Sequence, residues 1–199
     1  MVRREIAVML VLACGTVAQA RGQGAFDYTN ARPVIQDHCL RAWPNDFSMR
    51  AYCETQQNDA VEMLRRGQPA GVTGDQFRSI REHCAGQWSD AFNMRAYCEK
   101  QQLSALSQLD RPGTTGSSEE RTLQEHCVRE WSSDFNMRAY CEKQQRSAVA
   151  TLAQGPPSDI PDDAFRQIRS KCSSDWPDNF AMREYCERKQ YQGYRSLRR

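Results

Sequence analysis

The sequence predicts an all-α protein made of four tandem antiparallel helical hairpins, each stapled by its own disulfide. Three observations predict this fold: a unit with two cysteines occurs four times, apolar residues in each unit follow helical spacing, and Gly-, Pro- and Ser-rich segments separate the units. From residue 21 onward only 24 residues are Leu, Ile, Val or Phe, too few for one conventional core of this length. The sequence therefore favours four small cross-linked cores.

An export signal is predicted at residues 1–20. Two arginines near the start precede an apolar run over residues 6–18, and small residues around Ala20 provide a cleavage site. The run is shorter than the roughly 20 apolar residues that cross a bilayer, so no transmembrane segment is expected in the mature chain. The alternative is a lipoprotein signal, in which Cys14 carries a lipid anchor. The expected location is the periplasm, with secretion as the second choice.

One sequence unit occurs four times. Its first cysteine, taken as position 0, recurs every 43 to 45 residues, and a second cysteine follows at +14. The shared frame is C-x3-W-x3-F-x-M-R-x-Y-C-E-x2-Q, and residues 92–102 are identical to residues 135–145. Matches at so many fixed positions identify the units as duplications. The cysteine pairs are Cys39 and Cys53, Cys84 and Cys98, Cys127 and Cys141, and Cys172 and Cys186.

Each unit is predicted to form two helices joined by a short break. Apolar residues before the break follow helical spacing, as in Ile80, Cys84 and Trp88. The break is rich in Pro, Ser, Asp and Asn, which cap and start helices, and a longer helix follows it. The predicted hairpins cover residues 31–66, 75–110, 118–154 and 162–199.

The position of the break fixes how the two helices face each other. It is centred near +7. In an antiparallel hairpin two positions therefore face each other when their numbers add up to about 14. The cysteines at 0 and +14 then meet, and the Trp at +4 faces the Met at +10 within the core. In an exported chain such a cysteine pair is expected to be a disulfide. Closing a 15-residue loop contributes about 3 kcal/mol, comparable to the net stability of so small a unit.

The glutamine at +18 interrupts the apolar face of every second helix. A buried amide must be hydrogen-bonded, and the expected partner is the opposing helix, with an external partner as the alternative. The four residues are Gln57, Gln102, Gln145 and Gln190.

The units are joined by segments rich in helix breakers, at residues 65–74, 110–118 and 155–161. Linkers of this composition are flexible, which favours hairpins arranged as beads on a string. A period of more than forty residues also suits a stacked helical array, which is the alternative.

Metal-binding and catalytic patterns are weak. His38, His83 and His126 each precede a first cysteine, but adjacent helical residues point about 100° apart, and Lys171 takes this place in the fourth unit. We therefore predict no metal site and no cofactor. The sequence contains no Gly-rich phosphate loop, nucleophile elbow or His-Glu-x-x-His, so no enzymatic activity is predicted. With 27 Lys and Arg against 25 Asp and Glu, no basic stripe indicates nucleic-acid binding.

The arginine at +11 and the tyrosine at +13 form a candidate recognition surface. The arginine and the Glu at +15 are expected on a solvent face as an i,i+4 ion pair. Tyr at +13 is expected at the core boundary with its hydroxyl outward, and Arg and Tyr are enriched in binding hot spots. The candidate residues are Arg50, Tyr52, Arg95, Tyr97, Arg138, Tyr140, Arg183 and Tyr185.

The run from Trp131 to Cys141, like its three sister copies, is similar to a Trp-x3-Phe-x-Met-x2-Tyr-Cys motif of uncharacterised exported proteins of Gram-negative bacteria. The resemblance implies export and small helical units, and it carries no activity. The twin Cys-x9-Cys hairpin has a different spacing, so its partners are not carried over. The expected function is a non-catalytic binding or scaffold module of the bacterial cell envelope, with a protein or an envelope polymer as partner. The alternative is a periplasmic soft-metal (copper) or thiol-redox buffer.

Overall fold

The structure is a computed structural model that describes residues 27–109 and 116–198. The predicted signal peptide, including Cys14, lies outside the described residues. Within these residues all regular secondary structure is helical, which confirms the all-α prediction. The helices are α1 (Ala31–Ala42), α2 (Phe47–Leu64), α3 (Gly74–Gln87), α4 (Phe92–Leu109), α5 (Ser118–Glu130), α6 (Phe135–Leu152), α7 (Asp162–Asp175) and α8 (Phe180–Ser196).

Consecutive helices form four hairpins, called hairpin 1 to hairpin 4, and their turns follow the predicted capping chemistry. Each first helix ends at +3, and each second helix begins at the Phe at +8. Three of the second helices are capped by the residue at +7, namely Asp46, Asp134 and Asn179. Its side chain accepts a hydrogen bond from the N–H of the Met at +10, at 2.9–3.0 Å. These bonds satisfy N–H groups that the start of a helix leaves unpaired.

A disulfide joins the two helices of every hairpin. The four bonds link Cys39 to Cys53, Cys84 to Cys98, Cys127 to Cys141, and Cys172 to Cys186. The Cα atoms of each pair are 5.7–5.8 Å apart, so the same register recurs in all four copies. The predicted fold class is therefore confirmed.

The hairpins stack into one continuous array. The second helices α2, α4, α6 and α8 pack against one another in chain order, and each first helix packs against its own second helix. The preferred expectation of beads on a flexible string is therefore wrong, and the stacked alternative is correct. The linkers do not set the arrangement, because apolar and polar contacts between neighbouring second helices hold the hairpins together.

The apolar part of each junction is a phenylalanine inserted into the preceding hairpin. Phe92, Phe135 and Phe180, all at +8, are only 5–6 % exposed. Each packs in a pocket, here called the Phe slot, formed by the residues at −4, +21, +22 and +25 of the hairpin before it. The three slots consist of Ile35, Ala60, Val61 and Leu64; of Ile80, Ala105, Leu106 and Leu109; and of Leu123, Ala148, Val149 and Leu152.

The polar part of each junction is the glutamine at +18, here called the Gln clamp. In hairpin 2, Gln102 donates to Asp134 Oδ1 at 2.8 Å and accepts from the backbone N–H of Phe135 at 2.7 Å. Gln57 donates to the side chain and accepts from the backbone N–H of Asn93, at +9 of hairpin 2, and Gln145 donates to Asn179 at +7 and accepts from the backbone N–H of Ala181 at +9 of hairpin 4. For these three glutamines the expectation of an internal hydrogen bond is confirmed, but the partner lies in the next hairpin and not in the opposing helix. The glutamine thereby caps a helix in the neighbouring hairpin.

Candidate binding surface

The tryptophan at +4 lies where each first helix ends. Its backbone N–H donates to the carbonyl oxygen of the cysteine at 0, at 3.0–3.1 Å. Because the chain turns at this point, the indole is not enclosed, and the four tryptophans are 37–39 % exposed. The prediction that they lie in the core is therefore wrong: they lie at the rim of each hairpin. They are Trp43, Trp88, Trp131 and Trp176.

The tyrosine at +13 is exposed in all four hairpins. Exposure runs from 45 % to 60 %, and the next residue is the disulfide-bonded cysteine at +14. This is the expected position at the core boundary. The tyrosines are Tyr52, Tyr97, Tyr140 and Tyr185.

In hairpin 1 these two aromatic residues line one cavity. Trp43 and Tyr52 share a volume of about 220 Å³ with Met49, Cys53 and Asn93, the last belonging to hairpin 2. The exposure of the Trp and the Tyr and the disulfide register are similar in all four copies, whereas in hairpin 3 Tyr140 lines a different cavity, with Ala105 and Lys143. We call the Trp at +4 and the Tyr at +13 of each hairpin the Trp–Tyr ledge.

The arginine at +11 holds the turn that carries the tryptophan. Arg95 donates to the carbonyl oxygens of Trp88 at 3.1 Å and Ser89 at 2.7 Å. Arg183 makes equivalent bonds in hairpin 4. Arg95 is buried, so its predicted place on a solvent face is wrong. In these two hairpins the arginine fixes the ledge, and the tyrosine is the part of the candidate surface that faces outward.

The other two arginines at +11 have different partners. Arg138 Nε lies 3.2 Å from Glu142 Oε1, so the predicted i,i+4 ion pair forms in hairpin 3. Arg50 lies over the ring of Phe47, 4.6 Å from its centroid, a contact that Arg95 and Arg183 also make with the phenylalanine at +8 of their hairpins. The polar partners of the arginine at +11 therefore differ between hairpins, while its contact with the phenylalanine recurs in three of them.

The glutamate at +15 is buried in hairpins 2, 3 and 4, where a solvent face was predicted. Arg169, at −3, pairs with Glu187 at 2.9 Å in hairpin 4, and Arg81 Nε lies 3.5 Å from Glu99 Oε2 in hairpin 2. Both arginines also donate to the carbonyl oxygen of the leucine at +25 of the preceding hairpin. One side chain therefore neutralises a buried carboxylate and ties two hairpins together. The repeated frame does not predict this role, because only two of the four units have Arg at −3.

Hairpin 3 neutralises its buried glutamate in another way. Gln124 occupies −3, and Glu142 pairs with Arg138 and with Arg146, whose Nη2 is 2.7 Å from Glu142 Oε2. Arg146 also pairs with Glu120 at 2.6 Å. These hydrogen bonds raise the pKa of the Arg146 guanidinium, although burial opposes the shift. A second arginine on α6 replaces the missing one on α5.

The histidine at −1 contacts an aspartate of the next hairpin, a role that the sequence pattern does not predict. The pairs are His38 with Asp90 at 3.4 Å, His83 with Asp134 at 3.6 Å, and His126 with Asp178 at 3.9 Å. Burial raises the pKa of Asp90, but the hydrogen bond from His38 and the charges of His38 and Arg41 outweigh it, so this pKa lies below its usual value. Among the described residues no three His, Cys, Asp or Glu side chains are grouped to hold a metal ion.

The comparisons and the disulfides bear on identity and location. No protein-family model, curated protein or solved structure matches this chain. In the part of the chain that the structure describes, no helix is long and apolar enough to cross a bilayer. Four intramolecular disulfides indicate an oxidising compartment such as the periplasm or the extracellular space, since cytosolic thiols are kept reduced.

Proposed function

We propose that this protein is an exported, non-catalytic binding or scaffold module of the bacterial cell envelope, which contacts a protein partner through its Trp–Tyr ledges. Residues 1–20 would direct export and be removed in the mature protein, and the periplasm is the proposed location. The observation that carries the proposal is the repeated exposure of one Trp and one Tyr at equivalent places in all four hairpins.

The chemistry of the ledge supports a contact surface. Tyr and Trp combine a large apolar ring with one polar group, and they are enriched where one side of a side chain is buried by a partner. The disulfide and the backbone bonds of Arg95 and Arg183 hold the ledge in place before binding. A surface fixed in advance loses less conformational entropy on binding than a mobile one.

Four ledges on one array would also act together. If the partner is itself repetitive, the first contact raises the effective concentration for the next, and overall affinity exceeds that of a single ledge. Removing ledges one at a time should therefore weaken binding by more than the loss of each separate contact.

Capture of envelope proteins with the full oxidised chain tests the proposal. Tyr97→Ser and Tyr140→Ser, alone, together and combined with Tyr52→Ser and Tyr185→Ser, remove exposed rings without opening the core. A partner that uses the ledges should be enriched by the unmodified chain and lost progressively across this series. Val128→Ser and Met63→Ser, which alter exposed apolar residues outside the ledge, serve as matched controls. Equal capture by the fourfold variant would overturn the proposal.

Thiol titration distinguishes this function from the soft-metal or thiol-redox buffer. A thiolate is the form that binds copper(I), and disulfide sulfur is not a thiolate. Eight oxidised cysteines in the exported protein would support the scaffold. Free thiols together with bound copper would support the buffer instead.

A further inference from the structure

The phenylalanine at the start of α2 is exposed, although its equivalents in the other three hairpins are buried. Phe47, at +8 of hairpin 1, is 76 % exposed, whereas its three counterparts are 5–6 % exposed. Those counterparts lie in Phe slots of preceding hairpins, and Phe47 has no slot to enter within the described residues. Hairpin 1 therefore exposes the phenylalanine that, in the other hairpins, inserts into the Phe slot of a neighbour.

The end of α8 presents the receiving half. A cavity of about 500 Å³ is lined by Ile168, Gly193, Tyr194 and Leu197, which occupy the four Phe-slot positions −4, +21, +22 and +25. Gln190, the fourth Gln clamp, lines the same cavity. Leu197 is 88 % exposed, whereas the leucines at +25 of the other hairpins are buried or half-buried. Among the described residues, nothing fills this slot.

The polar groups at the two ends also match. At the junction between hairpins 2 and 3, the Gln clamp donates to Asp134 at +7, and His83 at −1 lies beside the same aspartate. Hairpin 1 has Asp46 at +7, and hairpin 4 has Gln190 at +18 and Lys171 at −1. Lys171, which pairs with Asp175 at 2.6 Å within α7, takes the place of the histidine and would lie near Asp46 in such a contact.

We propose that the protein associates end to end with a second copy of itself, Phe47 of one molecule entering the slot formed by Ile168, Gly193, Tyr194 and Leu197 of the next. In this contact Gln190 clamps the start of the second molecule's α2, and Lys171 faces Asp46. The interface continues the three junctions already present within the chain, so the same packing rules apply to it. The inference goes beyond the proposed function and does not depend on the Trp–Tyr ledges.

The two surfaces differ, so each molecule has one of each and the contact is heterologous. Such a contact repeats without closing unless the rotation happens to form a ring, and it gives open chains of molecules. Within one chain a linker keeps neighbouring hairpins at an effective concentration of about 1 mM, and separate molecules lack this advantage. Association is therefore expected to depend strongly on protein concentration.

Sedimentation velocity on the oxidised protein tests the proposal. The protein concentration is raised to about 1 mM, the effective concentration of neighbouring hairpins within one chain. The weight-average mass of the unmodified protein should rise with concentration beyond that of a dimer. Phe47→Asp and Leu197→Asp alter highly exposed residues, so each variant should keep the native circular dichroism spectrum, and each should remain monomeric. Val128→Asp, a matched exposed site on α5, should associate as the unmodified protein does.

A mixture of the two blocked variants gives the sharpest result. Phe47→Asp retains an intact slot and Leu197→Asp retains an intact phenylalanine, so a 1:1 mixture should form a dimer and nothing longer. A monomeric unmodified protein at all concentrations would overturn the proposal, since Phe47 would then be exposed or covered by another occupant. Association that persists in Phe47→Asp alone, or a mixture that stays monomeric, would overturn it as well.

Discussion

Phe47 and Phe135 occupy the same position in the same frame, yet the structure gives them opposite environments. Phe135 is enclosed by the slot of hairpin 2, and Gln102 caps the helix that it begins. Phe47 lies exposed at the start of α2. The difference shows that several positions of the repeated frame make their contacts with the neighbouring hairpin and not within their own. A residue at a fixed position is therefore part of the core only where a neighbouring hairpin is present.

Replacing the two phenylalanines gives the largest expected contrast. Phe135→Ala should lower the free energy of unfolding by about 3–5 kcal/mol, because it empties a filled slot. Phe47→Ala should change it by less than about 0.5 kcal/mol, because an exposed ring is lost. Urea denaturation of dilute protein, followed by circular dichroism, measures both. Equal losses would show that Phe47 has a buried partner in solution.

Removing a disulfide should have a wider effect in hairpin 3, which has a neighbour on each side, than in hairpin 1. Replacing both cysteines of a pair by serine removes loop closure worth about 3 kcal/mol. For Cys39 and Cys53, faster amide hydrogen exchange is expected in α1 and α2 and in one neighbouring second helix, α4. For Cys127 and Cys141, it should also reach α4 and α8, which pack against α6 on either side. Exchange confined to hairpin 3 would show that the hairpins unfold independently.

The Gln clamps should show the same contrast at smaller size. Gln102→Ala leaves the buried N–H of Phe135 without its partner and removes one of the hydrogen bonds that Asp134 accepts, at a cost of about 1–3 kcal/mol. Gln190→Ala faces an open slot and should leave the stability of the dilute monomer nearly unchanged. Paired thermal melts compare the two variants. A destabilisation of similar size in both would show that Gln190 has a role within hairpin 4.

The smallest expected effect is a pH dependence that comes from burial at a junction. Burial raises the pKa of Glu99 above its ordinary 4.5, although the charges of Arg81 and Arg95 partly offset this. A carboxyl whose pKa is raised in the folded state binds more protons there than in the unfolded state. Its contribution to stability is complete below the ordinary pKa and is lost as the pH rises through the folded pKa.

Glu99→Gln cannot ionise, so its stability relative to the unmodified protein should increase as the pH rises from about 4 to 7. Glu119→Gln is the control with the opposite sign. Hydrogen bonds from its own backbone N–H and from Ser117 and Ser118 hold the pKa of the Glu119 carboxyl below its usual value. That variant should lose relative stability over the same range. Denaturation midpoints measured across this pH range test both expectations. Midpoint curves that run parallel for Glu99→Gln and the unmodified protein would contradict the prediction.

The sequence predicted the features that lie within one hairpin. The register of the cysteines and the capping by Asp46, Asp134 and Asn179 depend on residues close together in the chain, where helical spacing and turn chemistry suffice. The tryptophan is more exposed than predicted because it lies one residue past the end of a helix. Helical spacing alone places it on the apolar face and does not show that the helix has already ended.

The junctions could not be predicted from the same patterns. Linker composition describes only flexibility, and each slot combines positions from two helices with a phenylalanine from another unit. The aspartate opposite each histidine shifts between +6 and +7, so a search at fixed spacing misses it. A polar glutamine on an apolar face is the strongest sign of a junction in the sequence, but it does not indicate which helix supplies its hydrogen-bond partner.

The disulfides also determine how the array would respond to mechanical force. Each joins residues 14 apart, and that closed loop contains both members of a Trp–Tyr ledge. Tension applied at the ends of the chain passes through the sulfur bridge and bypasses the loop. Each intact bridge withholds about 40 Å of extension, at roughly 3.4 Å per residue and after allowing for the distance that the bridge itself spans. The hairpins could be pulled apart at their junctions while every loop that carries a ledge stayed closed.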